Sequence, residues 1–357
     1  MIKYLGSKRR LLSLISETVL LVGDRLTVLD LFSGTSRVGH ALKRAGHRVL
    51  ANDHNAYAEV LARCYIEADR EAVLTDATRL VDEFNGLPGR AGWFTGLYCE
   101  EARFLHPRNG ARVEAIREAI AAKSLPPTLE AVLLTSLMEA ADRVDSTTGV
   151  QMAYLKTWAP RALMELSLRV PDVLPRAAAG PGAAHRLDAC VAARGLEGDV
   201  AYIDPPYNQH SYLGNYHVWE TLVRWDRPQV YGVARKRVEC RERRSAFNVR
   251  KACHAALAQL LAAVRAPVLI VSGNDEGHVA REDVEALLAA HGEVHVIERD
   301  QRRYVGAQIG IHDPRGRRVG TVGRLRNTEL LYVAAPRGSR VARALDRSGA
   351  GADTAPV

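Results

Sequence analysis

The stretch with the clearest chemical potential is AYIDPPYNQHSY, at residues 201–212. An apolar run ends at Asp204, and Pro205, Pro206 and Tyr207 follow it directly. The two prolines fix the backbone and remove two N–H donors, and the position before a proline pushes Asp204 towards extended geometry. The segment therefore presents a carboxylate, carbonyl oxygens and an aromatic face on a rigid support. That combination suits the binding of a flat ring that bears an amino group.

A second candidate site lies in LTVLDLFSGTSRVGHALKRAGHRVLAND, at residues 26–53. Gly34 and Gly39 have the spacing of a phosphate loop, but no Lys-Ser/Thr pair follows the second glycine, so ATP or GTP hydrolysis is not expected. The stretch also lacks the GxGxxG of a dinucleotide site. The remaining features are Asp30, Gly34 and Asp53, which fit a cofactor with a ribose but no essential pyrophosphate. S-adenosylmethionine is the candidate, and a plain turn glycine between two strand-end aspartates is the alternative.

The elements that must position these residues predict an α/β fold. Residues 26–53 read as a β-α-β unit, which implies a parallel sheet. Apolar runs typical of buried strands follow at DVAYID (199–204), APVLIVSG (266–273) and ELLYVA (329–334). Helical patterns lie between these runs, so strands and helices alternate along this part of the chain.

Residues 67–185 interrupt the alternation. They contain helical patterns such as LEAVLLTSLMEAADRV and no convincing strand, and the Gly/Pro/Ala-rich stretch 175–185 closes them like a linker. We therefore predict a discontinuous catalytic domain over 1–66 and 186–335, with a mostly helical insertion over 67–185. The composition after Pro336 predicts a disordered tail over 336–357.

Charge and cysteine usage limit the classes of function. The 357 residues carry a net charge of +8, which favours a polyanionic partner. No apolar run reaches the length of a membrane span, and the first residues lack the apolar core of a signal peptide. The five cysteines are scattered without a CxxC pair, which predicts reduced thiols rather than a disulfide framework or a zinc site. A cytoplasmic, nucleoid-associated protein with no membrane and no metal is expected.

In combination, these motifs resemble those of the Dam-like N6-adenine-specific DNA methyltransferases, in their alpha motif order. KYLGSK (3–8) is similar to the first motif of that family, DLFSGTSRVG (30–39) to its cofactor loop, and DPPY to its catalytic motif. SGNDEG (272–277) and NTELLYV (327–333) resemble its downstream strand motifs. The resemblance covers most of the chain outside the insertion and implies a Rossmann-like, S-adenosylmethionine-dependent methyltransferase sheet. The cofactor contacts that it implies are Tyr4, Gly6, Lys8, Asp30, Phe32, Gly34, Asp53 and Asp188.

The resemblance also implies a reaction. Related enzymes that act on cytosine N4 usually carry a serine before the two prolines, so the acid at Asp204 points to adenine. An adenine in a duplex must be flipped out of the stack to reach such a site. Asp204 and a carbonyl of the Pro205-Pro206 segment would then accept from the N6 amino group, and Tyr207 would stack on the base. The insertion at 67–185 occupies the place of the family's target-recognition region.

Basic residues near the DPPY segment fit a nucleic-acid substrate. The run RKRVECRERR lies at 235–244, and further arginines lie between 302 and 326. A solvated arginine-rich surface explains either cluster taken alone, but beside a site that needs DNA we expect the first run to follow phosphates. The predicted contacts are Arg235, Lys236, Arg237, Arg241, Arg243 and Arg244, with Ser245 and Asn248 after them.

The expected partner is double-stranded DNA, and the protein could act alone or beside a cognate restriction endonuclease. Two alternatives stay open. An RNA adenine N6-methyltransferase would bind the same N6 amino group of adenine with the same DPPY residues. A non-catalytic DNA-binding subunit would keep the fold without turnover, although the intact DPPY segment argues against it.

Overall fold

The computed structural model of the chain describes residues 1–6, 8–209, 211–302, 311–312, 318–320 and 326–349. Its helices are α1 (Leu12–Val22), α2 (Arg37–Arg44), α3 (Ala56–Ala62), α4 (Arg70–Asn85), α5 (Trp93–Thr95), α6 (Pro107–Ala122), α7 (Pro127–Arg143), α8 (Ala189–Gly195), α9 (Tyr212–Asn215), α10 (His217–Arg224), α11 (Glu239–Glu242), α12 (Cys253–Ala263), α13 (Arg281–Leu288) and α14 (Arg340–Gly349). Its strands are β1 (Thr27–Asp30), β2 (Arg48–Asn52), β3 (Ala183–His185), β4 (Val200–Ile203), β5 (Val230–Tyr231), β6 (Lys236–Arg237), β7 (Val268–Asn274), β8 (Glu293–Arg302), β9 (Ile311–His312), β10 (Arg318–Gly320) and β11 (Arg326–Ala335).

Within the described residues, seven strands form the central sheet, in the order β3-β2-β1-β4-β7-β11-β8. The pairs from β3 to β7 are parallel, whereas β11 runs antiparallel to both β7 and β8. Asp30 at the end of β1 pairs with Ala51 of β2 on one side and with Tyr202 of β4 on the other. The predicted β-α-β unit and mostly parallel sheet are therefore confirmed, and the fold is that of a Rossmann-like methyltransferase.

Helices cover both faces of the sheet, because the central strands are apolar on both sides. One buried cluster joins Val28 and Ile270 of the sheet to side chains of α1, α2, α3 and α7. The opposite cluster joins Leu29 and Leu269 to side chains of α8, α12 and α13. The carboxyl ends of β1, β2 and β4 are consequently held in fixed register at one edge of the sheet, which is where ligand sites form in such folds.

The segment 67–185 is mostly helical, as predicted, but it is not independent of the sheet. Phe84 of α4 and Leu133 of α7 belong to the same buried cluster as Val28 of β1. The segment also ends in a strand, because β3 pairs with β2 along the edge of the sheet. The prediction of no strand within 67–185 is wrong at Ala183–His185. Ala-Ala-His is too short and too weakly apolar to show a strand pattern.

The prediction of a disordered tail is wrong for residues 340–349, which form α14. Val341, Ala342 and Leu345 are buried, and the helix packs against α1 and β8. The spacing of these three residues gives one apolar face, which a judgement from bulk Gly, Ala, Ser and Arg content overlooks. Residues 350–357 lie outside the described part of the chain. Among the described residues, every helix is too short or too polar to span a bilayer.

Candidate active site

A cleft of about 1000 Å³ opens at the carboxyl ends of β1, β2 and β4. The eight residues predicted from the sequence to contact a cofactor all line this cleft, together with Asp204 and Pro206 of the DPPY segment. These residues come from positions as distant as 4 and 206 in the chain. The sheet register brings them together, because loops that follow parallel strands meet at the same edge.

The loop after β1 forms one wall of the cleft and depends on a glycine. Gly34 has φ +50°, in the left-handed region, and a Cβ at this position would lie 3.3 Å from the ring of Tyr4. Its backbone N–H donates to Oδ2 of Asp53 at 3.1 Å. The other oxygen, Oδ1, accepts from the backbone N–H of Asn55 at 2.9 Å. Asp53 thus fixes the loop after β1 to the loop after β2.

A stack of tyrosines packs against this loop, and two of its members, Tyr4 and Tyr212, line the cleft. Tyr4 lies parallel to Tyr212, with 5.1 Å between ring centroids, and parallel to Tyr216, with 4.6 Å. Its hydroxyl lies 3.1 Å from that of Tyr57. Gly6 follows with φ +75°, and a Cβ there would lie 2.8 Å from the Tyr212 hydroxyl. The stack therefore joins residues 1–6 to the segment that follows DPPY.

Asp204 lies at the end of β4, in a small cluster of charges. The ammonium of Lys8 is 3.2 Å from Oδ1 of Asp204 and 3.3 Å from Oε2 of Glu329 in β11. Lys8 also donates to the Tyr207 hydroxyl at 3.1 Å. Burial raises the pKa of Asp204 to about 6; Lys8 opposes this rise and Glu329 adds to it. The carboxylate is therefore ionised at neutral pH, but close enough to titration to be sensitive to its neighbours.

Asp30 is a second buried acid in the cleft wall. Its burial, followed by the nearby carboxylates of Asp204 and Asp53, raises its pKa to about 8. At neutral pH Asp30 is consequently mostly protonated. The Oγ of Ser33, in the following loop, is buried and has no hydrogen-bond partner among the described residues. This wall can thus offer both an acid and a hydroxyl to a ligand.

The remaining predicted cofactor residues line the floor and far end of the cleft. The ring of Phe32 meets that of Phe247 edge to face, with 5.2 Å between centroids. Asp188 caps α8, where its Oδ1 accepts from the backbone N–H of Cys190 at 2.9 Å. Asp188 is exposed and lines the cleft.

The DPPY segment separates this cleft from a smaller cavity. Pro205, Pro206 and Tyr207 line that cavity, which has a volume of about 490 Å³ and contains mostly apolar side chains, including Tyr332. The Tyr207 carbonyl accepts from the backbone N–H of His278 at 3.1 Å. Of the four predicted catalytic residues, Asp204 and Pro206 therefore face the main cleft, whereas Pro205 and Tyr207 face the second cavity.

The basic run is only partly available for contact with phosphates. The prediction for Arg237 is wrong: its side chain is 2% exposed and forms a bidentate pair with Asp226, at 2.7 and 2.6 Å. Arg235 pairs with Glu101 at 2.8 Å, and the guanidinium of Arg241 stacks on the Tyr231 ring. Neutralised or buried guanidinium groups release few counterions from DNA.

Three other members of the predicted set line the cofactor cleft instead. Arg243 donates to the backbone carbonyl of His54 at 2.8 Å, and Asn248 donates to that of Asn208 at 2.7 Å. Ser245 accepts from the backbone N–H of Phe247. Lys236 is partly buried and Arg244 is exposed. The arginines between 302 and 326 lie largely outside the described residues.

Sequence reasoning missed several residues of this site. Arg37, Asn55 and Phe247 line the cleft, and Glu329 completes the charge cluster around Lys8. A signal existed for Glu329, since an acid within the apolar strand NTELLYV is unusual unless it has a partner. The described residues contain no group of three or more His, Cys, Asp or Glu that could hold a metal ion.

Comparison with known proteins agrees with this geometry. The model of the D12 class N6 adenine-specific DNA methyltransferase family matches residues 4–258. Type II methyltransferase M.FokI of Planomicrobium okeanokoites is 30% identical over 309 residues, which are 81% of this chain and 47% of that protein. Type II methyltransferase M.NlaIII of Neisseria lactamica is 32% identical over 235 residues, 62% of this chain and 69% of that protein.

A third relative is modification methylase StsI of Streptococcus sanguinis, which is 27% identical over 302 residues, 80% of this chain and 46% of that protein. The chain therefore spans about half the length of M.FokI and of StsI. The family match includes all the cofactor and DPPY residues named above and covers more than half of the chain. The family resemblance seen in the sequence is confirmed, and the chain belongs to the D12 class of N6 adenine-specific DNA methyltransferases.

Proposed function

We propose that this chain transfers the methyl group of S-adenosylmethionine to the N6 amino group of adenine in DNA. The observation that carries the proposal is the position of Asp204. It is a partly buried carboxylate at the carboxyl end of β4, which lies 3.2 Å from the Lys8 ammonium and lines the cleft. A hydrogen-bond acceptor fixed there in advance is what a poorly nucleophilic amino group requires.

The residues of the cleft fit a cationic, ribose-bearing cofactor. Asp30 and Asp53 are placed close enough to each other for the carboxylate of Asp53 to raise the pKa of Asp30, and a ligand cation would relieve that repulsion. Ser33 offers an unpartnered buried hydroxyl. Gly34 leaves the space that a side chain would fill. When bound, S-adenosylmethionine supplies an electrophilic methyl group on its sulfonium.

The DPPY segment supplies the groups that act on the target base. The Asp204 carboxylate and a carbonyl of the Pro205-Pro206 segment accept from the two amino hydrogens of adenine, which favours a pyramidal N6 with its lone pair available. Flipping the base out of the duplex costs a few kcal/mol. Stacking on Tyr207 recovers about 1–3 kcal/mol of that cost.

Lys8 has a role in this proposal besides cofactor contact. Its ammonium lies between two carboxylates and holds one of them, Asp204, in the cleft wall. We infer that Lys8 is a positioning residue for Asp204, which also keeps that acid ionised at neutral pH. Glu329 in turn holds Lys8.

We further propose that residues 67–185 contribute to target recognition. Their loop at 142–156 is fixed beside the helix that follows the DPPY segment, since the Gln151 carbonyl accepts from Nε2 of His217 at 2.9 Å. The Gln151 side-chain oxygen accepts from the backbone N–H of Val218 at 2.9 Å. A loop fixed in this way would move together with the DPPY segment that binds the base. Because relatives are named type II methyltransferases and modification methylases, we propose that the activity protects DNA from a cognate restriction endonuclease.

The test is transfer of labelled methyl from S-adenosylmethionine to unmethylated genomic DNA, with total RNA in parallel. Asp204→Asn keeps the shape of the side chain and removes its charge, so label in DNA should fall by at least a hundredfold. Asp199→Asn is the matched control, because Asp199 lies just before β4 and accepts from the backbone N–H of Thr27, outside the cleft. Its activity should stay close to wild type.

Three results would contradict the proposal. Label in RNA alone would change the substrate and keep the chemistry. An equal loss of methyl transfer in Asp204→Asn and Asp199→Asn would mean that the substitutions act on folding and not on the contact of Asp204 with the base. No label in either nucleic acid, from folded protein that binds the cofactor in calorimetry, would favour a non-catalytic DNA-binding subunit.

A further inference from the structure

A second concave surface lies beside the cofactor cleft, between α1, α2, α7 and the segment 169–172. It is an open groove of about 1730 Å³. Five arginines from four separate parts of the chain line it, and we call it the arginine groove: Arg9, Arg37, Arg44, Arg143 and Arg169. No run of basic residues in the sequence marks this surface, because the fold alone brings the five together.

The two carboxylates in the arginine groove are already engaged. Asp172 pairs with Arg44 at 2.6 Å. Glu139 accepts from the Tyr65 hydroxyl and from the amine of Met1. His40 adds no charge at neutral pH, since burial lowers its pKa. The groove therefore has an excess of positive charge that its own acids do not neutralise.

The other arginines have no carboxylate partner among the described residues. Arg143 donates to the backbone carbonyl of Ser167 at 2.6 Å and makes no ion pair with a described carboxylate. The Nε of Arg37 is buried without a hydrogen-bond partner. Burial and the neighbouring charge of Arg9 lower the pKa of Arg37, and burial and Arg169 lower that of Arg143. Like charges are thus held close together, an arrangement that a polyanion would stabilise.

The basic run at 235–244 shows the opposite arrangement. Arg237 pairs with Asp226, Arg235 pairs with Glu101, and Arg243 lies 3.5 Å from Glu239. The run that is conspicuous in the sequence is therefore largely neutralised in the fold. The arginine groove, which is inconspicuous in the sequence, is not.

The arginine groove and the active-site cleft meet at one shared lining residue. Arg37, the first residue of α2, lines both surfaces. Arg9 directly follows Lys8, whose ammonium holds Asp204. A polymer that delivers a base to Asp204 can thus extend from the cleft into the arginine groove without leaving the protein surface.

We propose that the arginine groove binds the sugar-phosphate backbone of duplex DNA on one side of the target adenine. The inference rests on the proposed function only in taking DNA as the substrate. Guanidinium groups match phosphate oxygens through planar, bidentate hydrogen bonds. Such contacts position the duplex without reading its sequence.

The experiment compares two double variants for binding to a long duplex over a range of salt concentrations. Arg9→Gln with Arg169→Gln removes two exposed guanidinium groups from the arginine groove, neither of which has a carboxylate partner among the described residues. Arg265→Gln with Arg281→Gln removes two arginines outside both the groove and residues 67–185, which already pair with Glu197 and Glu285. We expect the first variant to reduce the slope of log Kd against log salt by about 2, and the control to leave it unchanged. At saturating DNA and low salt, kcat should equal that of wild type.

A third variant should increase the affinity for duplex DNA. Asp172→Asn frees Arg44 from its carboxylate, so duplex affinity should increase and the salt slope should steepen, a result that misfolding cannot produce. Equal slopes in wild type and the groove variant would overturn the proposal. Weakened binding to RNA with unchanged binding to duplex DNA would overturn it as well. If wild-type protein shows no methyl transfer, the proposed function is contradicted. The salt dependence of Kd for duplex DNA would still test the arginine groove.

Discussion

The charge cluster around Asp204 predicts that two substitutions, Lys8→Gln and Glu329→Gln, shift the pH dependence of kcat/KM in opposite directions. Burial raises the pKa of Asp204 to about 6, Lys8 opposes the rise, and Glu329 adds to it. The ionised form accepts from the adenine amino group, so kcat/KM should fall as the pH falls through about 6. Lys8→Gln removes the opposing charge, and this fall should then occur at higher pH. Glu329→Gln removes the carboxylate that raises the pKa, and the fall should occur at lower pH.

The size of the effect follows from the distance. An opposite charge at 3.2 Å from a carboxylate lowers its pKa by about 1–3. If Lys8 lowers the pKa of Asp204 by about 2, its removal brings that pKa to roughly 8. Only about a quarter of the Asp204 side chains are then ionised near pH 7.5. Lys8→Gln should therefore be about fourfold slower near pH 7.5 and recover most of its rate near pH 9.5. Glu329→Gln should retain activity below pH 6, where wild type loses it.

The assay is transfer of labelled methyl to DNA at low substrate concentration, since kcat/KM reports the groups of the free enzyme. Cofactor affinity is measured in parallel by calorimetry at each pH. A shift in the same direction for both variants would refute the reasoning, as would a uniform loss of rate with an unchanged pH profile. Loss of cofactor affinity in Lys8→Gln, with no shift in the profile, would return Lys8 to the cofactor-binding role that the sequence suggested.

Three further predictions concern the cofactor loop and the basic run. The pKa of Asp30, about 8, means that a cationic cofactor should release a proton on binding; affinity should rise with pH up to about 8, and calorimetry of Asp30→Asn should show weaker binding without this dependence. Gly34→Ala should destabilise the fold by about 1–2 kcal/mol in urea and weaken cofactor binding, because φ is +50° and Tyr4 blocks the Cβ; unchanged stability and affinity would contradict this. Arg237→Ala should cost about 3–5 kcal/mol of unfolding free energy and leave the salt slope of DNA binding unchanged, since the side chain is buried against Asp226; a shallower slope would restore Arg237 as a phosphate contact.

The fold was predictable where sequence patterns are continuous. The β-α-β unit around Asp30 and the strand before Asp204 are apolar runs that end at turn signals, so the parallel sheet and a cofactor site after its first strand could be inferred. The edge strand at Ala183–His185 was not predictable, because its pairing comes from the neighbouring strand and not from its own residues. The helix at Arg340–Gly349 was missed because its apolar face is only three residues wide.

The candidate site was predictable as a set of residues but not as a set of contacts. Motif order brought Tyr4, Asp30 and Asp204 to one cleft, as the structure has them. The sequence could not indicate that Lys8 would lie against Asp204, because the two residues are separated by 195 positions and only the fold brings them into contact. Charge runs were the weakest guide. A run of basic letters says nothing about the acids that the fold places beside them, as the burial of Arg237 shows.

The tyrosine stack has a consequence for the order in which the protein folds during synthesis. Tyr4 leaves the ribosome early, but its stacking partners, Tyr212 and Tyr216, are made only after more than two hundred further residues. The backbone N–H of Leu5 likewise donates to the Tyr216 hydroxyl, at 2.6 Å. Closing so long a loop is slow and costs entropy. Tyr4 and Leu5 therefore lack these partners until Tyr216 has been translated, and the cofactor wall is complete only then.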